Sequence, residues 1–135
     1  MRRMHWALLA AVAAHVLGWL LPVVDDYRGW QAFRVAFSPI WPFERFHISP
    51  GPLLVLSVAS ALTNVLFPAL AGALVLTERA RQVLWAAAGA TLLNLHWPIS
   101  MGAQRAELEV GYFIWICSFA LLALAAFFEA APARR

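Results

Sequence analysis

Four long apolar stretches, none containing Asp, Glu, Lys or Arg, dominate the pattern of hydrophobic and polar positions along this chain. They run over about 6–24, 53–77, 83–99 and 110–128. A helix needs roughly 20 apolar residues to cross the hydrocarbon of a bilayer, with a range of about 17–25. All four stretches fall within that range. The sequence therefore predicts an all-α, four-helix transmembrane bundle that forms a single integral membrane domain over 1–135.

Composition favours the same membrane location. Hydrophobic residues make up 63% of the chain and charged residues only 13%, which is far from the balance of soluble domains. The net charge of +3 would suggest a nucleic-acid partner in a soluble protein, but the basic residues are spread among loops and ends. We therefore expect a lipid bilayer as partner and no nucleic acid. All the basic residues are Arg, which together with the Ala-rich spans is typical of a GC-rich bacterial genome.

The arginines also predict how the spans are oriented. Cytoplasmic segments of membrane proteins carry an excess of Lys and Arg. With a cytoplasmic N-terminus, the inner segments hold six arginines, namely Arg2, Arg3, Arg79, Arg81, Arg134 and Arg135. The two longer outer loops hold four, namely Arg28, Arg34, Arg45 and Arg105. We therefore predict a multi-pass protein of the bacterial inner membrane with both termini in the cytoplasm.

The first outer loop, over 25–52, is the one sizeable stretch outside the predicted spans. Trp30, Phe33 and Phe37 recur within it at helical spacing, with arginines among them. The pair Asp25–Asp26 stands where it can cap the start of a helix. The pattern predicts a short amphipathic helix that the three aromatic rings anchor in the membrane interface. The alternatives are a lid over a ligand cavity and a docking surface for a partner.

Four polar side chains lie near the middle of the predicted spans, namely His15, Asn64, Thr91 and Asn94. At about 1.5 Å of rise per residue, each falls within several Å of the bilayer midplane. Polar groups in lipid are costly unless they meet a partner, so we expect the four to face inward as one cluster. The cluster is either helix-packing contacts, worth about 0.6 kcal/mol each, or a small-molecule or ion site with His15 as its titratable member.

Catalytic, metal and cofactor chemistry is disfavoured. The spans carry no paired carboxylates, no Ser nucleophile motif and no His-Glu-x-x-His, so we expect no enzyme activity and no catalytic residue. No pair of His or Cys has metal-ligand spacing. Haem between His15 and His96 is disfavoured because His96 lies roughly 7 Å closer to the outer surface, and no other cofactor is indicated. The single cysteine, Cys117, fits a small apolar filler.

The layout resembles the small four-span inner-membrane proteins of bacteria, whose last span often begins with Gly-Tyr-x-x-Trp-x-x-Ser. The residues that carry the likeness are Pro22, Gly29, Trp30, Ala32, Phe33, Asn64, Gly111, Tyr112, Trp115 and Ser118. The resemblance implies a four-span fold. It implies no activity, so no site residue is carried over from it.

The sequence thus favours a small polytopic membrane protein with a structural or accessory role. One alternative is a binding or permeation unit for a small molecule or ion, as a protomer or a homo-oligomer, centred on His15 and Asn64. The other is an accessory subunit whose outer loop docks a larger membrane complex.

The predicted orientation can be tested with reporter fusions. Fusions after Arg135 and near Glu78 should report the cytoplasm, because the arginine-rich segments stay inside. A fusion near Gln104 should report the periplasm. If a reporter fused to the C-terminus is found in the periplasm, the chain crosses the membrane an odd number of times.

Overall fold

The computed structural model of the protein describes residues 2–43 and 51–131. This part of the chain is mostly helical, and its longer helices are α1 (Arg2–Leu20), α3 (Pro52–Leu76), α4 (Ala80–Asn94) and α6 (Val110–Ala130). The shorter elements are β1 (Pro22–Val24), β2 (Tyr27–Arg28), α2 (Gly29–Ala36), α5 (His96–Ser100) and a 3₁₀ helix (Gly102–Glu107). Residues 44–50 of the predicted outer loop, which include Arg45, lie outside the described residues, as do Arg134 and Arg135.

Two helices, α3 and α6, are long and apolar enough to cross a membrane. They match the predicted spans over 53–77 and 110–128 to within two residues at each end. The prediction of four such helices is not met. α4 has only 15 residues, and α1 contains two arginines and two histidines that lower its hydropathy.

The chain leaves α1 earlier than the predicted span over 6–24 requires. The last residues of that stretch form β1, which pairs antiparallel with β2 across a two-residue turn. Asp25 and Asp26 occupy the turn with φ of 46° and 63°, a left-handed conformation that Asp tolerates better than most residues. They therefore shape a hairpin and do not cap a helix, and the residue before α2 is Arg28. This small sheet corrects the all-α prediction.

The predicted span over 83–99 is interrupted at Leu95, between α4 and α5. Pro98 lies four residues after Asn94, lacks an N–H and crowds the carbonyl at that position. The Asn94 carbonyl oxygen instead accepts a hydrogen bond of 2.8 Å from the Tyr112 hydroxyl of α6. The helix therefore breaks where a side chain from another helix takes over the lost backbone bond.

α6 lies at the centre of the bundle, with α1 and α4 packed along two of its sides. Small residues make this close packing feasible. Gly111, Ser118 and Ala125 of α6, which recur at seven-residue spacing, are all buried. On α1, a Cβ added at Gly18 would lie 2.6 Å from the Cβ of Trp115, so only glycine lets the two backbones approach this closely.

α2 agrees in position with the predicted amphipathic helix, but it lies against the end of the bundle. Phe33 packs on Trp19 of α1 with ring centroids 5.6 Å apart and stacks on Phe37 at 5.7 Å. Trp30 is 43% exposed and is the member of the aromatic trio most open to the surroundings. The Arg34 guanidinium lies 4.0 Å from the centroid of the Trp41 ring. The side of α2 that carries Phe33 is therefore packed on α1, whereas Trp30 is exposed.

The contact at Gly18 can be tested against a glycine with free space around it. Gly18→Ala should lower the free energy of unfolding by about 1–3 kcal/mol, because the new methyl group overlaps backbone atoms of Trp115 as well as its side chain. Gly89→Ala in α4 is the matched control, since nothing lies within 4 Å of its added Cβ. The control should be neutral or stabilising by up to about 1 kcal/mol. Unfolding in mixed detergent micelles measures both, and equal effects would contradict the close α1–α6 packing.

Candidate functional site

The four predicted midplane residues do not form one hydrogen-bonded cluster. Within the described residues, no hydrogen bond joins any two of them. The Thr91 hydroxyl bonds back to the Ala87 carbonyl of its own helix at 2.9 Å. His15, Asn64 and Asn94 each bond to a different set of partners.

Asn64 of α3 links three helices through one oxygen atom. Its side-chain Oδ1 accepts the indole N–H of Trp19 on α1 at 3.1 Å and that of Trp115 on α6 at 2.8 Å. Its Nδ2 donates to the Ala61 carbonyl at 3.3 Å. Both lone pairs of the amide oxygen are therefore used, which fixes the two indole rings beside α3.

Asn94 of α4 forms a second polar group with α3 and is fully buried. Its Oδ1 accepts the Ser60 hydroxyl at 2.7 Å, and its Nδ2 donates to Thr63 Oγ1 at 3.1 Å. Ser60 Oγ in turn accepts the indole N–H of Trp97 on α5 at 2.9 Å. The group thus holds α3, α4 and α5 together, and the Trp97 ring is fixed by its N–H.

His15 of α1 is enclosed by aromatic rings. It stacks on Phe67 with centroids 3.9 Å apart and meets the edge of Phe119 at 5.7 Å. Its Nδ1 lies 3.1 Å from Ser118 Oγ, whose own proton is donated to the Trp115 carbonyl. Nδ1 is therefore the donor in this contact, which assigns the proton to that nitrogen. The arrangement is that of a histidine packed between helices.

A cavity of about 310 Å³ lies at the end of the bundle where α2 covers it. Its floor comes from the helices, namely Trp19, Ser60, Ala61, Asn64, Trp97, Tyr112 and Trp115. Its cover comes from the hairpin and α2, and the segment before α6 completes the wall. Asn64 is the member of the predicted cluster that lines the cavity. His15, Thr91 and Asn94 lie outside its lining.

The cover over the cavity is attached to the rest of the fold by backbone contacts. Glu109 N–H donates to the Val23 carbonyl of β1 at 2.9 Å, and Val24 forms an isolated bridge with Leu108. At the start of α2, an added Cβ on Gly29 would overlap the carbonyl oxygen of Gly18. The hairpin and the first turn of α2 therefore lie directly on the ends of α1 and α6.

The lining offers aromatic surface and few free hydrogen-bond donors. The indole N–H groups of Trp19, Trp97 and Trp115 are all donated to protein atoms, and the Tyr112 hydroxyl is donated to Asn94. The Ser60 hydroxyl is donated to the same residue. Such a lining suits a largely apolar molecule.

Sequence reasoning did not identify these tryptophans as cavity residues. An interfacial Trp and a cavity Trp have the same place in the sequence pattern, since both stand near the end of an apolar span. The available signal was the pairing of buried indole donors with the amide of Asn64, because a buried Trp N–H needs an acceptor.

Other chemistry has little support in this part of the chain. Among the described residues, no group of three or more His, Cys, Asp or Glu side chains is placed to hold a metal ion. Cys117 is exposed. Comparison with protein-family models, with curated proteins and with solved structures finds no match to this chain.

The role of Asn64 can be tested by a double-mutant cycle with Trp115. Asn64→Leu should lower the free energy of unfolding by about 1–3 kcal/mol, because it leaves two indole N–H groups without an acceptor. Trp115→Phe keeps a ring and removes one of those donors. The coupling energy between the two changes should be about 0.6 kcal/mol, the average measured for hydrogen bonds between membrane helices, and at most about 1.7 kcal/mol.

Val65→Leu is the control for the cycle, because Val65 follows Asn64 on α3 and is exposed. It should not couple to Trp115→Phe. A coupling energy near zero for the Asn64 pair would show that the amide does not hold this indole.

Proposed function

We propose that this protein is a four-span membrane protein that binds a small organic molecule in the cavity beneath α2. The cavity itself carries the proposal. Its volume of about 310 Å³ lies at the lower end of the range for small-molecule sites, about 300–1,000 Å³. A mostly apolar wall with a few placed polar groups is the usual composition of such sites.

The exposed surfaces of α1 and α4 support two further spans beside α3 and α6. Large apolar side chains on these two helices are open to the surroundings, namely Trp6, Leu9, Val12, Val16, Leu17, Leu20, Trp85 and Leu92. Soluble proteins rarely expose apolar faces of this extent. α4 and α5 follow each other over Ala80–Ser100, a length that suits one bent crossing. The arginine distribution then supports cytoplasmic termini in a bacterial inner membrane.

The site has the features of a preformed cavity. Hydrogen bonds to Asn64 and Ser60 fix three of the indole rings that line it. A binding site whose side chains are already fixed loses little side-chain entropy when the ligand enters. A purely structural bundle, the role that the sequence favours, has no need of such a space. A larger side chain that fills the cavity would affect ligand binding more than it would affect the packing of the bundle.

Ligand binding can be tested by quenching tryptophan fluorescence with a brominated probe. In mild detergent, 4-bromobenzyl alcohol should quench in a saturable way, since a bound heavy atom would lie beside Trp19, Trp97 and Trp115. Ala61→Phe places a ring in the cavity from α3 and should reduce the affinity at least about 10-fold, the effect of losing about 1.4 kcal/mol. Ala69→Phe, an exposed position on the same helix, is the matched control and should bind as the unmodified protein does.

Quenching that rises linearly with probe concentration, equally in all three proteins, would contradict the proposal. In that case the structural or accessory role would be the preferred interpretation.

A further inference from the structure

We infer that the molecule held beneath α2 is an organic cation, an ammonium group attached to an apolar body. This inference rests on the proposed function and assigns the charge of the ligand. The charged side chains that line the cavity are Asp25 and Glu107, both carboxylates. Within the described residues, no Arg, Lys or His contributes to the lining.

The aromatic walls favour the same charge. Six of the residues that line the cavity are aromatic, namely Trp19, Tyr27, Phe33, Trp97, Tyr112 and Trp115. The face of an aromatic ring carries negative electrostatic potential and attracts a cation within about 6 Å of its centroid, most strongly for Trp. Aromatic rings grouped around one space are the arrangement that recognises quaternary ammonium groups.

The hydrogen bonds within the floor disfavour an anion. An anionic ligand needs donors, and the three indole N–H groups and the Tyr112 hydroxyl are already donated to protein oxygens. The N–H and O–H groups of these rings are therefore not available to a ligand. The floor therefore offers attraction to a positive group without a competing donor set.

The two carboxylates stand at the rim, where Asp25 and Glu107 are both exposed. The backbone brings them together, because Asp25 N–H donates to the Glu107 carbonyl at 3.4 Å. Carboxylates in this position raise the local concentration of cations at the entrance, an effect that salt screens. A quaternary ammonium group suits this site because it needs no hydrogen-bond acceptor.

The test compares two bromine-labelled probes that differ only at the central atom of one group. (4-Bromobenzyl)trimethylammonium carries the cation, and 1-bromo-4-(2,2-dimethylpropyl)benzene is its neutral carbon isostere. Saturable quenching of tryptophan fluorescence reports both. The affinity of each probe is expressed as the ratio between a variant and the unmodified protein, so partition of the probe into micelles cancels.

The variant Asp25→Asn with Glu107→Gln should weaken the cationic probe about 3- to 10-fold and leave the neutral isostere unchanged. Asn is suited to position 25 because it also tolerates the left-handed backbone found there. The control pair Glu78→Gln with Glu129→Gln removes the same charge from exposed positions outside the lining and should change neither affinity. Raising the salt concentration should weaken the cation alone.

The results distinguish failure of the cation inference from failure of the proposed ligand binding. Saturable binding of the isostere, with cation binding that is absent or insensitive to the Asp25 and Glu107 changes, would overturn the inference and leave the proposed function standing. No saturable quenching by either probe, together with none by 4-bromobenzyl alcohol, would overturn both.

An ammonium ligand has two sources, a free solute and the headgroup of a lipid. Bilayers of phosphatidylglycerol with and without phosphatidylcholine distinguish them. If phosphatidylcholine weakens the cationic probe more than an uncharged glycolipid at the same fraction of phosphatidylglycerol does, the natural occupant is a lipid headgroup. If the affinity of the probe is the same in both bilayers, the site takes a free cation.

Discussion

The acceptance of two indole N–H groups by the Asn64 side-chain oxygen is the interaction on which the rest of the structure depends. A buried indole without an acceptor is costly where water is absent, so Trp19 and Trp115 are both drawn to this atom. α1 and α6 pack closely against each other, whereas the backbones of α3 and α6 come close at few positions. The amide therefore ties α3 to both of these helices, and the two indole rings that it holds line the cavity.

Proline and glycine adjust the helices around this arrangement. Pro98 ends α4 at Asn94, and the carbonyl that it leaves unpaired is taken by Tyr112. The break allows α5 to carry Trp97 to Ser60. Gly18 and Gly29 allow α6 and α2 to approach the last turn of α1. The proline breaks a helix, and the two glycines leave room for a neighbouring backbone. The aromatic rings occupy the space between the helices placed in this way.

Hydropathy and helical spacing predicted the parts of the fold that depend on local chain properties. α3 and α6 follow the apolar runs, and α2 lies where the aromatic spacing places a helix. The hairpin at Asp25–Asp26 was missed because a window that counts apolar residues does not distinguish a short strand of Pro and Val from the end of a span. Its signal was the Val-Val pair followed by two turn-forming aspartates.

The site was harder to predict, because it depends on which helices are neighbours. Rise per residue predicts how deep His15, Asn64 and Asn94 lie along their spans, but depth alone does not fix rotation about a helix axis. The structure turns His15 toward Phe67 and Asn94 toward Ser60, and leaves Asn64 to face the cavity. The lining tryptophans come from three different helices, so their proximity depends on how the helices pack against one another.

We have proposed that the space beneath α2 is an aromatic site for an organic cation. Crystals of the protein soaked with (4-bromobenzyl)trimethylammonium would test it most directly, since the anomalous scattering of bromine locates the bound probe. The account predicts a single strong bromine peak within the cavity lined by Trp19, Trp97 and Trp115, which disappears in Ala61→Phe. A peak on the outer apolar faces of the helices, with the cavity filled by protein side chains, would contradict it.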